Sequence, residues 1–476
     1  MTEMTGLRGV ADLVGARVLV TGARVTGVSA ARFLAELGAQ VTVTDSAPSQ
    51  LQAVAATPLN GAVQLVAGLE APPPGTDLVV TSPGLRPDAP VLVAAQRTGV
   101  PVIGDVTLAR WVDQARSGQR SGPGQAPAEW LVVTGTNGKT TTVGMLESIL
   151  RAAGADAVAC GNIGLPVLDA VRAGHRVLAV ELSSFQLHHS PGLTSRAAVV
   201  LNVSADHLDW HGCLQRYASA KGTVYAETST AVYNADDEWS TRLAAGHRGV
   251  AFTASAPAAG QLGSLGGQIV DRAFGEVAGA GTVLAQACDI RPAGRHNLSN
   301  ALAAAALARC IGVTPAAVAE GLRAFVPAGH RGAPVGEHAG VCYLDDSKAT
   351  NPHAARAALL SQRRVVWVAG GLLKGVDVEE LVIDTRDRLV GAVLLGADRA
   401  VIAAALGRHA PNVPVRVVDS GDDGAMTEVV TAAAELACPG DVVLLAPAAA
   451  SMDMFTDYGH RGRAFAAAVA ALAPAR

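Results

Sequence analysis

Short runs of apolar residues alternate along this chain with longer segments whose apolar residues recur every three or four positions. The short runs have the length of buried strands, and the longer spacing is that of helices with one buried face. This alternation is typical of α/β proteins, in which helices flank parallel sheets. In the first part of the chain, the runs that predict strands read VLVTG, VTVTD, DLVVTS and PVIGD.

Two further α/β units are predicted downstream. The second begins at Trp130 and contains the strand-like runs RVLAVEL and RAAVVLN, followed by a helix that starts near His296. The third begins near residues 326–330, and its predicted strands read VCYLDD, RVVWVAGG, VGAVLLG and DVVLLAPA. Residues 240–290 are rich in Ala and Gly, and their periodicity is too weak to place helices or strands.

A stretch rich in Gly, Pro, Ser and Gln separates the first two units. Arg116–Pro127 has the composition of a mobile linker. At 476 residues, the chain is too long for one ordinary core. We therefore predict three α/β domains, over residues 1–104, 105–327 (with the linker at 116–128) and 328–476.

The composition narrows the class of protein. A net charge of −4 lacks the basic excess of nucleic-acid-binding proteins, so we expect no nucleic-acid partner. The six cysteines contain no CxxC pair, which predicts reduced, mostly buried thiols rather than disulfides or zinc ligands. No uncharged apolar run is long enough to span a bilayer, and the first run, Ala16–Val20, leads into a glycine turn as a folded strand does. We expect a cytoplasmic protein with no membrane partner.

The strongest chemical signal is the stretch VVTGTNGKTTT, residues 132–142. An apolar strand, a Gly-rich turn and a helix opening with Lys139 and Thr140 form a phosphate loop, in which N–H groups and the lysine bind phosphate and the threonine binds Mg²⁺. The common P-loop places its first glycine where Val133 stands here. The alternative is a coincidental strand–turn–helix connection. This loop makes the central domain a predicted P-loop-type ATPase domain with a parallel sheet.

A second glycine turn follows the first strand. It reads GARVTG, residues 22–27, and Asp45 ends the next strand, as in a Rossmann dinucleotide fingerprint. Ala23 and Arg24 break the GxGxxG pattern, so three interpretations stay open: a dinucleotide, the phosphates of a nucleotide sugar, or a purely structural turn. The N-terminal domain is therefore predicted to be Rossmann-like.

Two strand ends behind the phosphate loop carry candidate metal ligands. Glu181 follows RVLAV, and His207 lies in NVSADHLD after the next strand. Because ligands bind at the carboxyl ends of parallel strands, both side chains could meet Mg²⁺ beside the loop. Taken singly, each is an ordinary loop residue. Lys221 lies in a predicted helix, and nothing local distinguishes it from a solvent-exposed lysine.

The third, Rossmann-like α/β domain has polar residues at three strand ends. They read DDSKATNP at 345–352, GGLLKG at 370–375 and APAAAS at 446–451. Turn chemistry alone accounts for each one singly. Three such ends in one domain favour a second binding surface.

Together these motifs resemble those of the Mur ligases, over nearly the whole chain. The loop TGTNGKTTT is shared by Mur ligases and the related folylpolyglutamate synthases, and ELSSFQL (181–187) and DDSKATN (345–351) are most particular to the member that adds D-glutamate. The other motifs occur in the family's order: TSPGL (81–85), GNIG (161–164), DHLDWH (206–211), GRHNLSNALAA (294–304), GHR (329–331) and SMDMF (451–455).

The resemblance implies an ATP-dependent amide ligase that adds D-glutamate to UDP-N-acetylmuramoyl-L-alanine through an acyl phosphate. It implies two Mg²⁺ ions and a carbamylated lysine at Lys221. The implied catalytic residues are Lys139, Glu181, His207 and Lys221; the implied metal ligands are Thr140, Glu181, His207 and Lys221. The residues implied to bind ATP are Gly135, Thr136, Asn137, Gly138, Lys139, Thr140, Thr141, Asn300, Arg331 and Asp346. The residues implied to bind the other substrates are Thr26, Gly27, Asp45, Ser46 and Asn162 for the uridine nucleotide, and Lys348, Thr350, Lys374 and Ser451 for D-glutamate.

We also expect a monomer. The departures from the family's pattern are a first turn richer in side chains, Ala446 and Ala449 in place of bulkier or more polar residues, Tyr458 in place of phenylalanine, and a longer linker.

The alternative functions are those of another Mur ligase, a folylpolyglutamate synthase-like ligase, a nucleotide-dependent switch that forms no amide, and a dehydrogenase. A diaminopimelate-adding member should carry a DNPR-like motif where this chain reads DDSKATNPHA.

Overall fold

The computed structural model of the protein describes residues 9–55, 63–118, 126–275, 281–327, 329–421 and 424–472. These residues form two compact units. The first lies within Met1–Val203, Gln215–Ile290 and Leu298–Phe325, and contains the first two large sheets. The second lies within Ser204–Leu214, Arg291–Asn297 and Val326–Arg476, and contains the third.

The first sheet has five parallel strands in the order β3-β2-β1-β4-β5. The four predicted strands are confirmed, and β3, whose burial alternates weakly, was missed. The strands are β1 Arg17–Thr21, β2 Gln40–Asp45, β3 Val63–Ala67, β4 Leu78–Thr81 and β5 Val102–Gly104, and the helices are α1 Val25–Leu37, α2 Pro48–Ala55, α3 Pro90–Arg97 and α4 Asp105–Gly118.

Helix α4 corrects the start of the predicted linker. The helix continues to Gly118, and the Arg116 guanidinium donates a 2.8 Å hydrogen bond to the Arg172 carbonyl. The predicted start of the linker at residue 116 is therefore wrong, because the helical pattern of DVTLARWVDQAR outweighs the local composition. Residues 119–125 of the predicted linker lie outside the described residues.

The second sheet has nine strands in the order β16-β15-β14-β13-β12-β10-β6-β8-β7. Pairing is parallel from β14 to β7 and antiparallel from β14 to β16, so the four strands that lie within the segment 240–290 extend the sheet. The strands are β6 Glu129–Thr134, β7 Ala157–Gly161, β8 Val177–Glu181, β9 Thr194–Ser195, β10 Ala197–Val200, β11 Glu227–Thr228, β12 Ala231–Asn234, β13 Gly249–Phe252, β14 Gln261–Leu265, β15 Gln268–Asp271 and β16 Thr282–Gln286, with β9 and β11 forming a separate pair.

The same part of the chain contains helices, and the helix Arg295–Cys310 has a stretch made only of alanine and leucine at 301–308. Ala301–Ala308 are fully buried, so the helix packs tightly on its neighbours without a polar face over this stretch. The helices are α5 Lys139–Ala152, α6 Val167–Ala173, α7 Ser184–His188, α8 Leu208–His211, α9 Leu214–Gly222, α10 Glu238–Ala244, α11 Arg295–Cys310 and α12 Pro315–Ala324.

The third sheet has six strands in the order β17-β18-β22-β19-β20-β21, parallel except for the β17–β18 pair. The four predicted strands are confirmed. The strands are β17 Ala333–His338, β18 Val341–Asp345, β19 Val365–Gly370, β20 Leu389–Leu395, β21 Val415–Val417 and β22 Val442–Leu445, and the helices are α13 Pro352–Leu360, α14 Glu379–Thr385, α15 Arg399–His409, α16 Ala425–Leu436 and α17 Tyr458–Ala470.

The cysteines correct another expectation. All six are free, as predicted, but Cys213, Cys288 and Cys438 are exposed, so the prediction of mostly buried thiols is wrong. Cys213 and Cys438 lie in loops and Cys288 lies in the short 3-10 helix Ala287–Asp289, where sequence alone gives no burial signal. Among the described residues, no helix is both long and apolar enough to cross a membrane.

Candidate nucleotide and ligase site

The predicted phosphate loop connects β6 to α5. Gly138 caps the helix with a φ of 86°, a left-handed conformation that favours glycine, and a Cβ there would overlap the amide oxygen of Asn300. No side chain caps the first turn of α5, so its N–H groups point at the loop. This geometry suits an anion.

Asn202, which the sequence analysis missed, braces the loop from the end of β10. Its amide oxygen accepts from the Asn137 N–H (2.9 Å), and its amide nitrogen donates to the Asn137 carbonyl (3.1 Å). Its backbone carbonyl also accepts from the Thr136 N–H (3.0 Å). Its position at the carboxyl end of a strand was the available signal, since Asn202 opens the NVSADHLD segment.

Two lysines converge on one loop carbonyl. The Lys139 ammonium donates to the carbonyls of Gly135 (2.9 Å) and Thr136 (3.0 Å). The Lys221 ammonium also donates to the Gly135 carbonyl, at 2.9 Å. Lys221 is only 1% exposed and lies over the ring of Tyr217, whose hydroxyl donates to Thr136 at 3.2 Å. Nothing in the local sequence distinguishes Lys221 from a solvent-exposed lysine, but α9 turns this face toward the loop and buries it.

A buried carboxylate ends the strand beside the loop. Glu181 is 2% exposed, and the pairing of β6 with β8 places it opposite Val133, at the start of the loop. The Asn162 side chain donates to its carboxylate at 2.9 Å, and the Asn162 N–H donates to its carbonyl at 2.8 Å. Two residues predicted for different ligands, a metal and a sugar substrate, thus lie in direct contact.

His207 belongs to the second compact unit, so its predicted metal site with Glu181 stays a prediction. Its ring Nε2 lies 3.6 Å from the Asp206 carboxylate. Within the described part of the chain, no three histidine, cysteine, aspartate or glutamate side chains form a metal-binding group.

In the first glycine turn, GARVTG, the nearby carboxylate is Asp45, and it bonds to backbone N–H groups. The Asp45 side chain accepts from the N–H groups of Ala23 (2.8 Å) and Ala47 (2.9 Å), so it fixes the turn itself. Gly27 is packed so closely that a Cβ would overlap the Gly22 carbonyl oxygen. Ser82, from the TSPGL motif, donates to that same carbonyl at 3.3 Å. Thr26 lies 3.5 Å from the Ser82 hydroxyl, and Ser46 is exposed.

The three polar strand ends of the third domain do meet. Leu372 and Ala450 exchange two 2.9 Å hydrogen bonds, which joins the loop after β19 to the loop after β22. The Ala448 N–H donates to the Ala349 carbonyl at 2.9 Å, which adds the loop after β18. The predicted binding residues of these loops are therefore carried by one connected edge. These are Asp346, Lys348, Thr350, Lys374 and Ser451.

Two of these side chains have distinct electrostatic surroundings. Burial raises the pKa of Asp346 to about 7, against the opposing charge of Arg331, which lowers it. The Lys348 ammonium lies 3.7 Å from the centre of the Tyr458 ring, a cation–π contact. The departure from phenylalanine at 458 keeps an aromatic face under this lysine.

Backbone strain marks the predicted segments. Among the described residues, five non-glycine residues have a positive φ, and four of them lie in or beside predicted motifs. Such outliers cluster where structure is held for a ligand. The four are His207 at 53°, His330 at 63°, Lys374 at 56° and Ala448 at 59°.

The three sheets and the phosphate loop define a class of protein. In this class of α/β proteins, a phosphate-loop domain follows an N-terminal Rossmann-like sheet along the chain and precedes a C-terminal one. The chain belongs to the Mur ligase family. The MurD-like N-terminal domain of Mur ligases matches residues 16–104, the Mur ligase middle domain matches 133–308, and the glutamate ligase domain matches 330–449. The predicted family and the three-domain α/β fold are confirmed.

Full-length relatives narrow the family. The UDP-N-acetylmuramoylalanine–D-glutamate ligase of Thermobifida fusca is 52% identical over 474 residues, covering 97% of this chain and 100% of that protein. The ligase of the same name from Streptomyces coelicolor is 51% identical over 471 residues, covering 96% and 98%. These relatives carry the name of the D-glutamate-adding group that ELSSFQL and DDSKATN indicated.

Solved structures share the fold. The UDP-N-acetylmuramate–alanine ligase MurC of Thermotoga maritima matches with a TM-score of 0.56 at 19% identity, covering 94% of this chain and 98% of that one. MurF from Acinetobacter baumannii matches with a TM-score of 0.57 at 18% identity, covering 90% and 89%. At this identity the likeness concerns the fold alone.

Proposed function

We propose that this protein joins the amine of D-glutamate to the alanyl carboxylate of UDP-N-acetylmuramoyl-L-alanine, with conversion of ATP to ADP and phosphate. The observation that carries the proposal is the convergence of Lys139 and Lys221 on the Gly135 carbonyl, beside the buried Glu181. A phosphate loop that carries the Lys139 ammonium, with a second lysine and a carboxylate beside it, suits transfer of a phosphoryl group between anions. The reaction belongs to cytoplasmic peptidoglycan precursor synthesis.

The chemistry requires activation of a poor electrophile. An oxygen of the alanyl carboxylate attacks the γ-phosphorus of ATP, the bond to the bridging oxygen breaks, and ADP leaves with its electron pair. The nitrogen of D-glutamate then attacks the acyl carbon, and phosphate departs from the tetrahedral intermediate as the amine loses a proton. Lys139 and the N–H groups of the loop reduce repulsion between the two anions in the first step.

The loop residues fit a nucleotide bound with magnesium. Gly138 leaves room where any Cβ would overlap Asn300, and Thr140 and Glu181 offer the oxygen ligands that Mg²⁺ prefers. We assign a first ion to these two residues and a second to His207 and a carbamylated Lys221. Bound magnesium would supply charge neutralisation at the phosphates. Carbamylation would convert Lys221 from a cation into an anionic ligand.

The remaining residues are assigned by domain. We assign nucleotide contacts to Asn300, Arg331 and Asp346, and uridine and muramoyl contacts to Thr26, Gly27, Asp45, Ser46 and Asn162. The connected loop edge of the third domain would hold D-glutamate through Lys348, Thr350, Lys374 and Ser451. Fixing the amine beside the acyl phosphate can supply up to about 7–11 kcal/mol through effective concentration.

The experiment is a turnover assay with ATP, Mg²⁺ and UDP-N-acetylmuramoyl-L-alanine. Parallel reactions contain D-glutamate, L-glutamate, L-alanine, meso-diaminopimelate or no amino acid, and phosphate and the uridine-linked product are followed together. We expect stoichiometric phosphate and adduct with D-glutamate only. Turnover with another amino acid would favour a sister Mur ligase. Turnover in a separate reaction, with a folate substrate and L-glutamate in place of the uridine nucleotide and D-glutamate, would favour a folylpolyglutamate synthase-like ligase. Phosphate release without adduct would favour a nucleotide-dependent switch.

We also propose that the protein acts as a monomer. Light scattering on the purified chain should give the mass of one chain at enzyme-assay concentrations. A stable mass of two chains would contradict this.

A further inference from the structure

Helix α17 buries an arginine behind the connected loop edge of the third domain. Arg461 is 1% exposed, and its guanidinium donates to the hydroxyl of Ser347 (3.0 Å) and to its carbonyl (2.9 Å). It also donates twice to the Ala449 carbonyl (3.2 Å each) and once to the Gly370 carbonyl (3.3 Å). All these acceptors are uncharged oxygens.

The three acceptor residues come from three different loops. Ser347 follows β18, Gly370 ends β19 and Ala449 follows β22, so one rigid side chain spans every segment that carries a predicted D-glutamate residue. A planar guanidinium has donors in fixed directions, which a lysine cannot reproduce. Burying a charge among carbonyls is costly, and the cost is reflected in the pKa of Arg461, which burial lowers to about 10. An apolar side chain of similar volume would fill this space at a lower cost in free energy.

Neighbouring residues reinforce the same loops. The Ser347 hydroxyl donates to the Tyr458 carbonyl at 2.8 Å, and Tyr458 presents its ring to Lys348. At Gly462 a Cβ would overlap the His330 ring and the Asp345 carboxylate, which are themselves 2.5 Å apart. The start of α17 therefore fits against the loop after β18 at several points.

We propose that Arg461 is a positioning residue for the amino-acid site, which sets the spacing of the three loops bearing Lys348, Lys374 and Ser451 without touching the amino acid. The proposal rests on the assignment of D-glutamate to this edge under the proposed function. Because the side chain is buried, it acts through the loop backbones and not through contact with substrate. Misplacement of reacting groups by about 1 Å can lower rates about 10²-fold.

The test compares Arg461→Lys with Arg364→Lys in the full-length enzyme. Arg364 pairs with Asp441 at 2.6 Å at the opposite end of the same sheet, where β19 and β22 begin, so it controls for loss of a third-domain ion contact. We expect Arg461→Lys to raise KM for D-glutamate by about 10- to 100-fold. KM for ATP should rise less than KM for D-glutamate, because the predicted ATP contact Asp346 shares a loop with Ser347. KM for the uridine substrate should change less than about 2-fold, and Arg364→Lys should match wild type in all three.

A second readout does not depend on turnover. Hydrogen exchange should speed up in residues 345–352, 370–375 and 446–451 of Arg461→Lys and stay at the wild-type rate there in Arg364→Lys. If Arg461→Lys does not fold, Ser347→Ala removes one acceptor and should show the same pattern more weakly. Unchanged exchange in the three loops, or an equal rise in all three KM values, would overturn the proposal. If the wild-type enzyme uses a different amino acid, the proposed function fails, and KM for that amino acid is compared between the variants instead.

Discussion

Two connections in the first compact unit have the same backbone plan and opposite chemistry. Each runs from a strand through a glycine turn into a helix whose first turn has no side-chain cap: β1 to α1 through GARVTG, and β6 to α5 through GTNGKT. At the first turn, the Asp45 carboxylate accepts from the Ala23 N–H, and its other oxygen accepts from the Ala47 N–H just after β2. At the second, the Lys139 and Lys221 side chains donate to backbone carbonyls of the turn.

This difference indicates that the charge of the side chain bonded to the backbone of the turn determines which ligands the turn can bind. A turn that already holds a carboxylate is set in shape and carries negative charge, which suits hydroxyl or amide groups of a nucleoside better than a triphosphate. A turn that carries the Lys139 ammonium at a helix N-terminus attracts polyanions. Four substitutions test this contrast.

The largest effect is expected at Lys139. Lys139→Ala removes the cation nearest the helix N-terminus, so transition-state charge loses a fixed partner, and kcat should fall about 10³-fold. Phosphate release under saturating substrates measures this. A loss smaller than about 10-fold would remove the phosphate-loop lysine from the chemistry.

Lys221→Ala should lower kcat about 10²-fold or more, and a small carboxylic acid in the buffer should partly restore it, because the acid replaces the carbamate as an anionic ligand. Lys139→Ala serves as the matched control and should not respond to the acid. Identical responses of the two variants would show that both lysines act only as cations.

Gly27→Ala tests the packing of the first turn. The added Cβ overlaps the Gly22 carbonyl, and overpacking of this kind costs about 1–3 kcal/mol in the free energy of unfolding. Gly407→Ala, an exposed position in α15 with open space around it, is the control and should be neutral or stabilising by up to about 1 kcal/mol. Denaturant unfolding distinguishes them. Equal stabilities would mean that the turn relaxes freely.

The smallest effect is expected at Asp45. Asp45→Asn keeps one acceptor for the turn and loses the charge, so KM for the uridine substrate should rise about 3- to 10-fold, a cost near 1 kcal/mol. KM for ATP should not change. A rise in KM for ATP instead would place ATP at the first turn, GARVTG, and contradict the assignment of ATP to the phosphate loop.

The sequence anticipated the parts of this contrast that are local. Strand, glycine turn and helix lie within a dozen residues, so the phosphate loop, Glu181 and the polar strand ends could be predicted. Lys221 was indicated only by the family resemblance and not by its local sequence, because its partner Gly135 lies 86 residues away and no local feature of α9 reveals the buried face. Arg461 meets Ser347 across 114 residues for the same reason.

Strands at the edges of the sheets were also difficult to predict from the sequence. The exposed residues of β3 weaken its apolar pattern, and the antiparallel edge from β14 to β16 lacks the alternation with helices that predicted the rest. Asn202 and Ser82 look like turn residues in sequence. Only the tertiary structure shows them bracing the two turns.

The central claim is that the alanyl carboxylate is phosphorylated at the lysine-bearing turn before the amine attacks. Labelling that carboxylate with oxygen-18 tests it most directly, by mass spectrometry of the phosphate formed in a single turnover with ATP and D-glutamate. An acyl phosphate predicts one labelled oxygen in each phosphate released. Unlabelled phosphate, formed while the amide product accumulates, would contradict the account.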